Sequence, residues 1–216
     1  MNEAFARLDA VSRLVIEARG LTTPPVTPEE GTVYAVGSGA TGAWAGEDGM
    51  LAIAVNGGWR FVVPKRGWAA WDVALDRGLV FDGTDWADTM AAPSAGGAAT
   101  VARVIEFDHV ITAGASNATL GVIPARGVVH AVTARVIGAI TGTGTTGWQL
   151  GVSGSPDRHG TGLGLALNSY AAGVTGQPVT YWSDTPLLLT AEGGDFTAGS
   201  VRIAIHLTEF TPPRAV

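Results

Sequence analysis

The spacing of apolar positions changes twice along this chain of 216 residues. Over residues 3–19, Ala4, Leu8, Val11, Val15 and Ala18 recur at 4-3-4-3 spacing, while Phe5, Leu14 and Ile16 widen the stripe. Glu3, Arg7, Arg13, Glu17 and Arg19 take the other side, so the pattern predicts an amphipathic helix with an a/d seam. Gly20 supplies a stop, and Pro24-Pro25 forbids continuation. A helix of about 17 residues is marginal alone in water. Segment 1–20 therefore reads either as a helix packed on its own domain or as a short parallel bundle about a symmetry axis.

Residues 21–90 read as short strands separated by turns, with candidates at 32–36, 50–55, 59–63, 68–73 and 79–81. Asn56-Gly57-Gly58 before Trp59 and Asp82-Gly83-Thr84-Asp85 before Trp86 are hairpin signals of similar form. Trp44, Trp59, Trp68, Trp71 and Trp86 fall in this stretch and are expected to fill the core of a module of about 70 residues. Residues 91–100, rich in Ala, Gly and Ser, read as a linker.

Beyond it the strands lengthen: 101–107, 128–140, 148–152, 179–182, 186–191 and 201–210. The last alternates cleanly, with Val201, Ile203, Ile205 and Leu207 on one face and Arg202, Ala204, His206 and Thr208 on the other. Leu187-Leu188-Leu189 is a continuous apolar run, expected in a strand buried on both sides. Many strands with Gly-rich turns and no interleaved helix predict a mainly β protein whose residues 101–212 form a β-sandwich or jelly roll.

Composition sharpens this picture. Charged residues are 15% of the chain against 46% hydrophobic, which is apolar for a free-standing monomer and predicts subunit interfaces. A net charge of −6, with 13 scattered basic residues, argues against nucleic-acid binding. Cysteine is absent, so neither disulfides nor thiolate metal sites arise. Residues 1–10 lack the apolar core of a signal peptide, and no apolar stretch approaches the length of a membrane span. Synthesis in the cytoplasm and release by lysis fits these features.

Catalytic motifs are weak. The loop GTGTTG at 142–147 matches G-x-G-x-x-G on paper, but Trp148 begins a strand where a helix should start, so it reads as a strand–strand connection. Gly151-Val152-Ser153-Gly154-Ser155 has its second glycine misplaced for a nucleophile elbow. His109, His130, His159 and His206 are far apart, none has zinc spacing with an acid, and neither metal nor cofactor is expected. Asp157, Asp184, Glu192 and Asp195 are the acids from which a polysaccharide-cleaving pair would come; each sits in a turn-like context.

Sugar binding asks instead for flat aromatic rings and short polar side chains. Trp148, Tyr170, Tyr181 and Trp182, with Asp157, Arg158, His159 and Asp184 in neighbouring loops, are the candidate carbohydrate contacts, and Asp157-Arg158-His159 reads as a polar loop tip between Gly-rich segments. Alternation places Tyr181 and Trp182 on opposite faces, and the bland role for Trp148 is a core anchor.

Residues 21–86, with the preceding segment, the Pro-Pro entry, ATGAWAG, the NGGW turn and the closing DGTDW, resemble a phage-derived domain of formally unknown function. It occurs in gene transfer agents and prophages of alphaproteobacteria. The stretches 128–154 and 185–207 resemble the β domain that commonly follows it. The resemblance implies a head spike or fibre on the particle surface, with an N-terminal part (1–20 and 21–90) that assembles onto other virion proteins. It also implies a distal part that binds the capsular polysaccharide of a recipient cell. It names no binding residue. A trimer and a pentamer remain open, as do a polysaccharide-depolymerising appendage and a purely structural connector.

Overall fold

The computed structural model describes residues 12–88 and 93–215. These divide into two compact units, the first formed by the described residues up to 101 together with 211–215 and the second by residues 102–210. Among the described residues the structure is built from sixteen strands and one short 3₁₀ turn, Gly42–Trp44.

In the first unit, β1 (Val15–Ile16), β6 (Ala69–Asp72), β7 (Arg77–Phe81) and β8 (Trp86–Ala87) form one four-stranded sheet in the order β1-β6-β7-β8. β2 (Ala18–Leu21), β3 (Val33–Val36), β4 (Leu51–Val55) and β5 (Gly58–Val62) form a second, β2-β3-β4-β5. The chain thus crosses between sheets at Glu17. Leu14 and Ile16 enter a core with Val33, Leu51, Ile53, Leu79 and Phe81. The second sheet is covered on its other face by Trp44, Tyr34 and Trp59, whose rings lie 5.0–5.8 Å apart. Two covered faces explain why β4 reads LAIAV and is buried at every position. At the NGGW turn, Asn56 and Gly57 adopt φ of 53° and 71° between the paired Val55 and Gly58, the two-residue hairpin that asparagine and glycine favour. At DGTDW, Asp82 accepts the backbone N–H groups of Thr84 and Asp85. Burial opposes its ionisation, but those N–H groups and the Arg214 guanidinium outweigh burial and hold its pKa below the usual carboxylate value.

From Leu14 onward the predicted helix over residues 3–19 is corrected by this arrangement. Ala4, Leu8 and Val11 lie outside the described residues, but Val15 and Ala18 belong to β1 and β2. Val15 is exposed, while Leu14 and Ile16 are buried. Two-residue alternation from Leu14 onward therefore overrides the heptad, because strand partners on β6 and β3 complete backbone hydrogen bonding that a lone helix would have to make internally.

The second unit contains β9 (Ala99–Ile111), whose first residues lie in the first unit, and β10 (Ser116–Ala118), β11 (Val128–Thr143) and β12 (Gly147–Val152). It continues with β13 (Ser155–Leu163), β14 (Tyr170–Thr180), β15 (Leu188–Glu192) and β16 (Asp195–Thr211). Two sheets result, β14-β11-β16-β9 and β10-β15-β12-β13, packed around Ile111, Val132, Trp148, Leu150, Leu189, Phe196, Ile203 and their neighbours. The alternation read along 201–207 holds, with Val201, Ile203, Ile205 and Leu207 buried. The triple leucine alternates as well: Leu187 and Leu189 are buried and Leu188 is half-buried, so β15 is not covered on both faces. The GTGTTG loop joins β11 to β12, as its context predicted.

One glycine sets how closely β13 and β14 approach. A Cβ at Gly173 would sit 2.2 Å from the His159 carbonyl oxygen and 2.7 Å from that of Val132, both backbone atoms that cannot swing aside. Gly173→Ala is expected to destabilise the second unit by about 1–3 kcal/mol, the usual cost of overpacking, read as a lower urea midpoint.

Candidate functional site

The outer face of the β14-β11-β16-β9 sheet is built in cross-strand rows. Ala131 pairs with Val174 and His206, Thr133 with Ala172 and Ala204, and Arg135 with Tyr170 and Arg202. Small residues in the middle row leave a shallow groove of about 430 Å³, floored by Thr133, Ala172 and Ala204 and bordered by Glu106, Arg135, Tyr170 and Arg202. Tyr170 is 67% exposed, and the Arg135 guanidinium lies 5.6 Å from its ring centre. Arg135 also donates to the Asn168 carbonyl at 3.0 Å, so its fork is held in place. Arg202 is spent differently: it grips Asp108 with two hydrogen bonds of 2.7 and 2.9 Å. That contact, with the Arg202 charge, holds Asp108 below its ordinary pKa despite a small opposing effect of burial. His206 Nε2 meets the Thr133 hydroxyl at 3.2 Å, and His130 Nε2 meets Thr208 at 2.8 Å, so both mid-strand histidines are satisfied by threonine.

The remaining candidates separate into buried and exposed groups. Trp148, within β12, is 1% exposed and its Nε1 donates to the Gly164 carbonyl, so it is a core anchor out of reach of a polymer. His159 lies within β13 and is 2% exposed, correcting the expectation of a polar loop tip at Asp157-Arg158-His159. Burial, reinforced by the Arg158 charge and opposed by the Gly173 backbone, lowers the His159 pKa to about 4. Tyr181 is half-buried against the core and its hydroxyl is pushed up in pKa by burial, partly offset by Arg158. Trp182, facing the other way, is 81% exposed. Asp157 and Arg158 are exposed, with Arg158 donating to the Ser155 hydroxyl, and Asp184 accepts the Ala125 N–H at 2.8 Å.

Tyr170 opens β14 and Tyr181 follows its end. At about 3.3 Å per residue, the two lie on the order of 35 Å apart along the strand. The candidates therefore form two separate groups, Tyr170 at the Arg135 groove and Trp182 with Arg158, Tyr181 and Asp184 at the far end. Sequence reasoning missed Arg135, whose signal was its place at i and i+2 with Thr133 on the polar side of a long strand. Of the acids weighed for catalysis, Glu192 accepts from the Thr161 hydroxyl and the Gly162 N–H, bonds that hold its pKa down and make it a turn brace. Among the described residues no group of three or more His, Cys, Asp or Glu could hold a metal ion. Among them, too, no helix is long and apolar enough to cross a membrane.

Residues 1–87 match the family described as "Protein of unknown function (DUF2793)". That match covers nearly all of the first unit's N-terminal stretch and none of the second unit. No curated protein matches the chain. Among solved structures, a chain titled "Cyanophage Pam1 capsid asymmetric unit" aligns at 23% identity and a TM-score of 0.34, covering 57% of this chain and 94% of its own.

Proposed function

We propose that this is a non-enzymatic, homo-oligomeric surface spike or fibre protein of a virion or gene transfer agent that binds host capsular polysaccharide through its second unit. The observation that carries the reading is a pair of exposed aromatic rings, Tyr170 and Trp182, fixed on a rigid double-sheet scaffold. Tyr170 at the start of β14 and Trp182 in the bend just beyond its end offer stacking area at little entropic cost, which suits shallow sites that gain strength from repetition on a particle. The reading of residues 101–212 as a β-sandwich or jelly roll is supported by strand order. Counted from β9, one sheet runs 6-3-8-1 and the other 2-7-4-5, the arrangement of an eight-stranded double Greek key. Exposed Val104, Val110, Val174 and Phe210 support burial of part of this unit against other subunits or virion proteins. The resemblance of residues 21–86 to a phage-derived domain supports a role for the N-terminal part in particle attachment.

Purified full-length protein is expected to bind capsulated cells and to ignore acapsular ones, leaving the polymer length unchanged. Trp182→Ala and Tyr170→Ala, both at exposed positions, are expected to weaken binding about tenfold each without changing thermal unfolding. Equal binding to acapsular cells would overturn the reading. Shortened polymer would replace it with a depolymerase.

A further inference from the structure

The groove on the outer face of the β14-β11-β16-β9 sheet carries an uneven distribution of charge. One row across it runs from Tyr170 to Arg135 to Arg202, and Arg202 reaches on to Glu106 and Asp108 of β9. At the β9 end two carboxylates face one guanidinium, with Arg202 Nε 2.7 Å from Asp108 and 3.9 Å from Glu106. At the β14 end the balance is reversed. Among the described residues the ion pairs of this sheet join Arg202 to Glu106 and Asp108, and Arg103 to Glu209; none includes Arg135.

Arg135 is nevertheless held in position. Its Nη1 donates to the Asn168 carbonyl at 3.0 Å, and its guanidinium lies 5.6 Å from the centre of the Tyr170 ring. The turn that supplies this carbonyl is itself fixed to β11. Asn168, at φ of 69°, donates its N–H to the Val136 carbonyl at 2.9 Å, and the Val136 N–H donates to the Ser169 carbonyl at 2.8 Å. No acceptor among the described residues engages Arg135 Nε or Nη2. A guanidinium braced on one edge and open on the other loses little freedom when it binds an anion. Beside it, Ala172 and Ala204 give the groove a methyl floor, and the Thr133 hydroxyl between them is already bonded to His206.

The geometry points to a hexuronate as the sugar that this groove takes. Its carboxylate would lie on the Nε–Nη2 edge of Arg135, its pyranose ring against Tyr170 and the alanines, and a hydroxyl would donate to Glu106. This rests on the reading of the second unit as a polysaccharide-binding domain and names the class of sugar bound. A planar carboxylate matches two parallel N–H donors, and the charge-assisted pair is stronger than the bonds a neutral hydroxyl offers the same edge. Direction follows from the charges. The acids of β9 stand two strands from Arg135, roughly 10 Å away, so an anion is drawn to the Tyr170 end and turned from the other.

The test follows Tyr170. The chain has three tyrosines, so full-length protein labelled with ¹³C in the tyrosine rings gives few signals, and the one lost in Tyr170→Phe is assigned directly. It is titrated with methyl glucuronide, with methyl glucoside and with phosphorylated glucose. Saturation in the millimolar range is expected for the glucuronide, about fivefold tighter than for the glucoside, the gain an exposed ion pair provides. Arg135→Gln is expected to bring the glucuronide affinity down to that of the glucoside, while the glucoside affinity and thermal unfolding stay as in the parent. Equal affinities in the parent would overturn the inference, as would a preference that survives Arg135→Gln or a variant that loses both sugars alike. Tighter binding of phosphorylated glucose would assign the edge to a phosphate and overturn the uronate. Binding to capsulated cells is measured in parallel. A protein that binds those cells but shows no preference for the glucuronide would sink this inference alone. One that ignores the cells yet shows the Arg135-dependent preference would sink only the broader reading.

Discussion

Replacing Arg19 with methionine is expected to cost the first unit about 3 kcal/mol. Arg19 leaves β2 in one sheet and reaches Asp72 of β6 in the other, placing Nε 3.1 Å from the carboxylate. The same guanidinium donates to the Trp86 carbonyl at 2.7 Å and contacts Asp88, so one side chain ties three segments together. Asp72 is fully buried, and without Arg19 it would keep one hydrogen bond, from the Leu75 N–H at 3.0 Å. An unpaired buried carboxylate is the costly product of such a substitution, more than the lost attraction itself. Asp88 would keep Arg77 at 3.1 Å, which holds the expected loss near the lower end of the range for broken buried pairs. Urea unfolding followed by tryptophan fluorescence reports on this unit, which holds five of the seven tryptophans. The double variant Arg19→Met with Asp72→Leu should recover most of the loss, since it removes the stranded charge as well. A single variant as stable as the parent would show that Asp72 is solvated or paired in some other way.

Much of this architecture was legible because the relevant signals were local. Asn56-Gly57 dictated its hairpin, the apolar run at 50–55 announced a strand, and the alternation over 201–207 located the core side of β16 without any partner in view. Failures came where two periodicities overlap or where a strand borrows its burial from neighbours. Leu14, Ile16 and Ala18 satisfy a two-residue repeat as well as Leu8, Val11 and Val15 satisfy a heptad, and only the presence of β3 and β6 decides between them. β13 reads SPDRHGTGL, polar and glycine-rich, because most of it faces solvent at a sheet edge; the buried His159 is nearly its sole inward signal. Lacking a run of apolar residues, it resembled a loop, and His159 was grouped with exposed sugar contacts for that reason. The candidate site suffered the same limit. Tyr170 and Trp182 stood out as aromatics, but their separation by the length of β14 and the pairing of Tyr170 with Arg135 depend on strand extent and register.

Acid is expected to weaken the second unit through His159. Its ring is buried, with the Gly173 backbone of β14 close to it, and burial together with Arg158 lowers its pKa from 6.5 to about 4. Above pH 6.5 the imidazole is neutral in both the folded and the unfolded chain, and it costs nothing. Between pH 6.5 and 4 the unfolded chain takes up a proton that the folded chain refuses, so stability falls with falling pH. Below pH 4 both forms are protonated and the loss levels off. A depression of this size corresponds to a total loss of about 3 kcal/mol across that window. His159→Leu keeps the site apolar and filled, so the variant should match or exceed the parent at pH 5 while lying close to it at pH 7.5. Urea midpoints of the second unit, read by near-ultraviolet circular dichroism at both pH values, make the comparison. The buried Trp148 supplies a signal that requires the intact core. A parent and variant that lose stability in parallel between pH 7.5 and 5 would place the acid sensitivity elsewhere and would require water or a hydrogen-bond acceptor at the imidazole. A difference that opens only below pH 6.5 would identify the seam between β13 and β14 as the part of the unit that acid opens first, beside the exposed Arg158 at the proposed polysaccharide contact.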